Sequence, residues 1–173
     1  MRLIVETGAG IPESNSYINY DDIEKYLISS NLETYENLTA DEKIDRMVIA
    51  SLFIDTSFNW IGRQKTIEQG LTWPRVNVIY QNISVQDSVI PVQIKKACVM
   101  ALQMILDYGI GIFQDSDGAE IKKEKLGPLE TEYFESLKIE SANSSRYSGI
   151  NNLLKGFYIK PNGNMITAGI LIA

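Results

Sequence analysis

Apolar residues recur at helical spacing in three stretches of the chain. Between about residues 20 and 30, Ile23, Tyr26 and Leu27 fall on one face. Asn19 stands just ahead as a candidate N-cap. Asp21 and Asp22 occupy the first turn, where the positive end of the helix dipole favours carboxylates. The second stretch starts more sharply. Thr39-Ala-Asp-Glu42 fits a capping box, with Ile44, Met47, Val48 and Leu52 following at helical spacing and an end expected near Ser57. The third opens with Pro91 at the first helical position, where a missing N–H does no harm. Its stripe of Ile94, Ala97, Cys98, Ala101, Leu102 and Ile105 predicts the central core helix, stopped by Gly109 and Gly111. A short fourth helix is expected near residues 150–157.

The rest of the pattern is strand-like or irregular. Residues 2–5 read as a short strand and 8–16 as a loop. Residues 58–80 hold two Gly, one Pro and both tryptophans and read as an ordered loop. Residues 112–119 form a loop, and 120–134 turn strand-like, with Gly127-Pro128 either a hairpin tip or a kink in one long arm. Residues 141–149 are polar and Ser-rich, Asn162-Gly163-Asn164 reads as a turn, and 165–173 are apolar and strand-like. The predicted fold is mainly α: a small bundle of about four helices (1–160) with an extended β-arm or hairpin at about 120–134, then a strand-like apolar C-terminal tail (161–173).

Composition narrows the function more than the fold. A chain of 173 residues with 45% hydrophobic and 22% charged positions supports one domain with a real core. A net charge of −6 predicts a poor general nucleic-acid binder, because that affinity comes mainly from Lys and Arg neutralising phosphates, although a small basic patch stays compatible with it. One cysteine and no histidine remove an intrachain disulfide, the commonest general base and the commonest metal ligand. No apolar run approaches the ~20 residues of a membrane span, and neither export nor a cofactor is expected.

Each constellation that could carry chemistry has a plainer reading. The Thr7-Gly-Ala-Gly loop lacks the Lys and Ser/Thr of a phosphate cradle. Asp115-Ser-Asp117-Gly118 resembles the start of a calcium loop, but its Gly comes too early and Leu126 stands where the closing Glu belongs. Asp21/Asp22 and Glu130/Glu132 read as solvated charge, because catalytic carboxylates need burial to separate their pKa values. Cys98 sits on an apolar face with no histidine to activate it. No enzyme site is therefore expected. Lys122, Lys123 and Lys125, with Arg63 and Lys65, could touch phosphates or form a solvated strand. Trp60, Trp73 and Arg75 could pin their loop or anchor a partner, since Trp and Arg are favoured hot-spot residues. The tail around Ile170, Leu171 and Ile172 should pair with something, because a free apolar strand invites aggregation. These ten residues other than Lys65 are the interface candidates.

An ordered series of motifs runs through residues 1–135. It comprises Leu3-Ile-Val-Glu-Thr-Gly-Ala-Gly, Asn15-Ser-Tyr17, Asp21/Asp22 with Tyr26, and Phe58-x-Trp60-x-Gly62. It continues with Gln69-x-Leu-x-Trp-Pro-Arg75, Ile90-Pro91, Ile94-Lys95-x-Ala97, and Lys123-Glu-Lys-x-Gly127-Pro-x-Glu130-x-Glu-Tyr133. The series resembles a family of tailed-phage head–tail connector (adaptor) proteins, whose members are often labelled DnaT-like single-stranded DNA-binding proteins. Residues 135–173 match less well. The resemblance implies a non-enzymatic virion protein at the neck, made in the host cytoplasm. Its implied partners are the portal protein, copies of itself in a ring that is commonly dodecameric, and further neck or tail proteins. Double-stranded DNA would pass through the ring without specific binding, and no membrane is involved. The alternative is a single-stranded DNA-binding accessory protein of phage replication, using Lys122–Lys125 with Tyr133 and Phe134.

Overall fold

The computed structural model describes residues 1–109 and 147–159, together with the pairing of two short strands at 125–126 and 129–130. Lys122, Lys123, the calcium-like loop at 115–118 and the tail with Ile170, Leu171 and Ile172 lie outside the described residues, as does Gly111.

The two helix starts with a capping signature form as read. Asp22 N donates to Asn19 Oδ1 at 2.9 Å and Asn19 N donates back to Asp22 Oδ2 at 3.2 Å, opening α1 (Tyr20–Tyr26). Thr39 N donates to Glu42 Oε2 at 2.9 Å and Glu42 N to Thr39 Oγ1 at 3.3 Å, opening α3 (Ala40–Ser57). The Thr39 backbone and hydroxyl bonds, with lesser help from Arg46, hold the Glu42 carboxyl below its ordinary pKa.

Between these helices the chain departs from expectation. Leu27 turns extended (φ −72°, ψ 138°) and ends α1 early, and a further helix, α2 (Ser29–Glu36), fills the interval. It buries Asn31 and Tyr35, and Asn31 Nδ2 donates to Asp107 Oδ1 at 2.6 Å, tying α2 to the far end of the core helix. That core helix is α4 (Val92–Tyr108), with Pro91 one position earlier than expected, at the N-cap, and Gly109 at its end. The last helix, α5, is Ser148–Leu154, so residues 148 and 149 are helical and not part of the expected loop.

Among the described residues there are five helices and three antiparallel strand pairs, so the about-four-helix bundle is corrected to a mixed helical fold with small β elements. α4 is its hub: α1, α2, α3 and α5 all pack on it. β1 (Arg63–Gln64) pairs with β2 (Arg75–Val76), and β3 (Ile79–Tyr80) with β4 (Ile83–Ser84). β5 (Lys125–Leu126) pairs with β6 (Leu129–Glu130) in the register Lys125↔Glu130, which selects the hairpin over the kinked arm. The strand expected at 2–5 reduces to one bridge, Val5 to Ser16, because its partner is the chain's own returning loop.

The core joins Tyr17, Ile18 and Ile23 to Met47 and Ile54 of α3, Ile94 and Leu102 of α4, and Ile150, Leu154 and Phe157. Cys98 is fully buried within it, and burial pushes its thiol, like the Tyr17 phenol, well above the ordinary range. The native state therefore keeps protons that the unfolded chain releases. That contribution is fully present below the unfolded values, near pH ~8.5 for Cys and ~10 for Tyr, and is lost as pH rises past them. The urea midpoint should fall between pH 7 and pH 10.5, and Cys98 should react with a thiol reagent only as fast as the protein unfolds.

Candidate nucleic-acid interface

The segment 58–80 is built around one carboxylate. Asp55, in the last turns of α3, is buried. Its Oδ1 accepts from Thr72 N at 2.8 Å, from Thr72 Oγ1 at 2.6 Å and from the Tyr17 hydroxyl. Trp73 N donates to that same Tyr17 oxygen at 3.0 Å, and Trp60 Nε1 donates to the Asp55 backbone carbonyl at 3.0 Å. Gln69 is equally committed. Its Nε2 reaches the carbonyls of Leu71 and Pro74, and its Oε1 accepts from Thr66 N. Arg75 spends its guanidinium on the carbonyls of Ile61 (2.8 Å), Gly62 (2.8 Å) and Thr72 (3.3 Å). The Trp73-Pro74 peptide is cis.

These bonds place the sequence candidates. Trp73 is completely buried and Trp60 is 6% exposed. They meet edge to face at 5.8 Å, with Phe157 against Trp73 and Phe58 against Trp60. Both indoles thus pack the loop onto the core and offer no free ring face. Arg75 is half-buried and fixed, whereas Arg63 lies exposed on β1. Lys65 donates to the Gly8 carbonyl at 3.2 Å. The Gly-rich loop is not an anion cradle either. Its amides at Gly8, Gly10 and Ile11 already point at the buried Glu6 carboxylate, at 2.8, 3.0 and 2.7 Å.

A second surface, bearing two lysines, lies where α1, the first turns of α4 and α5 meet. Lys25 and Tyr26 end α1, Lys96 and Met100 stand one turn apart on α4, and Gly149, Asn152 and Leu153 come from α5. Together they line an open groove of about 650 Å³. Both ammonium groups rest against the same ring, Lys25 Nζ at 5.2 Å and Lys96 Nζ at 5.4 Å from the Tyr26 centroid. Neighbouring Lys95 is instead bound to Asp22 at 3.0 Å, half-buried, and this pair ties α1 to α4. Among the described residues, neither Lys25 nor Lys96 has a carboxylate partner. Two like charges gathered on one aromatic ring, with no counter-charge among the described residues, make a place where an anion is electrostatically welcome.

Sequence reasoning missed this groove. Its lysines are not adjacent in the chain, and only Tyr26 stood in the motif series. The available signals were the i,i+4 pair Lys96/Met100 and the spacing of Gly149, Asn152 and Leu153, which put each set on one helix face.

Fold and groove describe a small helix-rich protein with a cationic, aromatic surface groove. Over residues 1–171 the chain matches the family described as "Putative DnaT-like ssDNA binding protein", and it belongs to that family. No curated protein and no solved structure matches it. The family match overturns the head–tail connector reading. With it go the portal, ring, neck and tail partners, the passively sliding double-stranded DNA and the place in the virion neck. The reason is physical. Asn15-Ser-Tyr17, Trp60, Gln69 and Trp73-Pro-Arg75 hold the loop and core together, so they define a fold and carry no information about a neck. The net charge does not weigh against the family description. A net charge of −6 is a sum over the whole chain, whereas phosphate contact is decided within a Debye length of ~8–10 Å.

Proposed function

We propose that this protein binds single-stranded DNA as a non-enzymatic accessory of replication, working in the cytoplasm, with the α1–α4–α5 groove as its contact surface. Two lysines on the half-buried Tyr26 ring, without a carboxylate partner among the described residues, carry the reading. Strand binding without sequence choice needs cations for the backbone and an aromatic platform for the bases, and this groove offers both. The family description supports the same ligand.

Fluorescence anisotropy of a labelled oligo-dT, titrated with protein across a salt series, tests it. Binding should weaken steeply with salt, by a log–log slope of about 0.7 per phosphate neutralised on a single strand. The double variant Lys25→Glu/Lys96→Glu should lose affinity at least tenfold and lower that slope by about 1 to 2. Absence of binding at about 50 mM salt would sink the function. Binding with an unchanged slope in the variant would move the contact off this groove.

A further inference from the structure

We infer that the groove takes a single unpaired nucleobase, flat against Tyr26 and Met100 and with its edge at the Asn152 amide, while the Lys25 and Lys96 ammonium groups, which rest on the Tyr26 ring in the free protein, leave it for the flanking phosphates. This rests on the single-stranded DNA reading above and adds what is held there. A purely electrostatic contact would need only the two lysines. The lining between them is instead apolar on its floor, with Tyr26, Met100 and Leu153, and its volume of about 650 Å³ lies within the ~300–1,000 Å³ of small-ligand sites. That space accepts more than a phosphate.

Gly149 is part of why the space exists. A Cβ there would come within 2.7 Å of the Met100 methyl, so glycine lets the thioether lie along the groove floor and leaves the α5 side low. Met100 is 37% exposed, a polarizable group well suited to a π-face. Asn152 supplies the polar edge. Its amide has both donors and an acceptor, is exposed, and has no hydrogen-bond partner among the described residues. An unpaired base presents a matching donor and acceptor edge. In a duplex that edge is paired and both faces are stacked, so the groove selects single strands by what it must reach.

Three ligands compared in one anisotropy assay test the inference: an oligo-dT, an abasic deoxyribose-phosphate strand of equal length and charge, and thymidine monophosphate as competitor. The wild-type protein should bind the oligo-dT about tenfold more tightly than the abasic strand. Tyr26→Ala should abolish that ratio while keeping the salt slope, Tyr26→Phe should preserve it, and Asn152→Ala should reduce it about threefold. A thermal melt of each variant checks folding, and Tyr26→Phe keeps the test meaningful if the alanine variant is unstable. Equal affinity for abasic and base-bearing strands, or no competition from thymidine monophosphate even in large excess, would overturn base capture while strand binding stands. Failure to bind either strand would overturn the function itself.

Discussion

Asp55→Ala should destabilise the protein by about 3–5 kcal/mol, lowering the melting temperature by on the order of 10 °C. One oxygen of this buried carboxylate accepts three bonds, from the Tyr17 hydroxyl and from the amide and hydroxyl of Thr72. Truncation strands the Thr72 amide and leaves Tyr17 with a weaker neighbour, Thr72 Oγ1 at 3.4 Å. Each buried polar group left unpaired costs ~1–3 kcal/mol. The loss spreads, because Tyr17 in turn accepts from Trp73 N and Trp60 Nε1 is bonded to the Asp55 carbonyl. Asp55→Asn separates geometry from charge: it keeps the accepting oxygen and should cost only about 1–2 kcal/mol, the charge-assisted part of the bonds. Urea unfolding followed by tryptophan fluorescence measures both variants, with Trp60 and Trp73 inside the affected region. Equal costs for the two would mean that charge, and not the acceptor position, holds the loop.

What could be read in advance follows how local its cause is. The capping boxes at Asn19 and Thr39 are sequence-local bonds, and they placed the starts of α1 and α3; α3 also ends at Ser57, near where its end is expected. α2 has no such signal. Its N-cap, Ile28, makes no side-chain bond, its buried positions are the polar Asn31 and the aromatic Tyr35, and no Gly or Pro marks the break at Leu27. It forms because α4 is there to pack against and because Asp107, 76 positions later, accepts from Asn31. The order in 58–80 was legible, but its two-residue strand pairs were not. They are set by distant partners: Ile61 N donates to the Phe157 carbonyl and Ile159 N to the Asn59 carbonyl, and Tyr80 stacks on Phe157 at 4.2 Å.

The candidate site was less legible than the fold for a related reason. Tryptophan and a QxLxWPR motif attract a functional reading because they are rare, yet here rarity marks the residues that a compact irregular loop cannot replace. Gln69 must satisfy three backbone groups and Arg75 three carbonyls, so their side chains have nothing left for a partner. The groove residues are common types, and only the packing of α1 and α5 on α4 brings Lys25, Lys96 and Asn152 together.

Glu6→Gln should cost about 2–4 kcal/mol, although it keeps the side chain's size and shape. The carboxylate is wholly buried and is an acceptor on both oxygens. Gly8 N and Gly10 N donate to one, and Ile11 N and Ser14 Oγ to the other. An amide can offer an oxygen to only one of these pairs. With its NH2 on the second side, Ser14 Oγ can give its proton to the Ile11 carbonyl at 2.8 Å and accept, but Ile11 N is left facing an N–H; flipped, Gly8 N and Gly10 N both are. The consequence is local at first. Gly8 lies at φ +107°, and a Cβ there would fall 2.1 Å from the Ser88 carbonyl oxygen, so the loop is seated against 88–89 with no slack. Gly70 N donates to the Ile11 carbonyl at 3.0 Å and ties the same loop to the tryptophan segment. Amide exchange at Gly8, Gly10 and Ile11 should therefore accelerate well before the helices exchange, and the urea midpoint should fall. Unchanged exchange at these amides would mean that the close packing on Ser88 and Gly70 holds the loop alone. The internal anion would then be a passenger, and the Gly-rich turn would owe its shape to contact and not to charge.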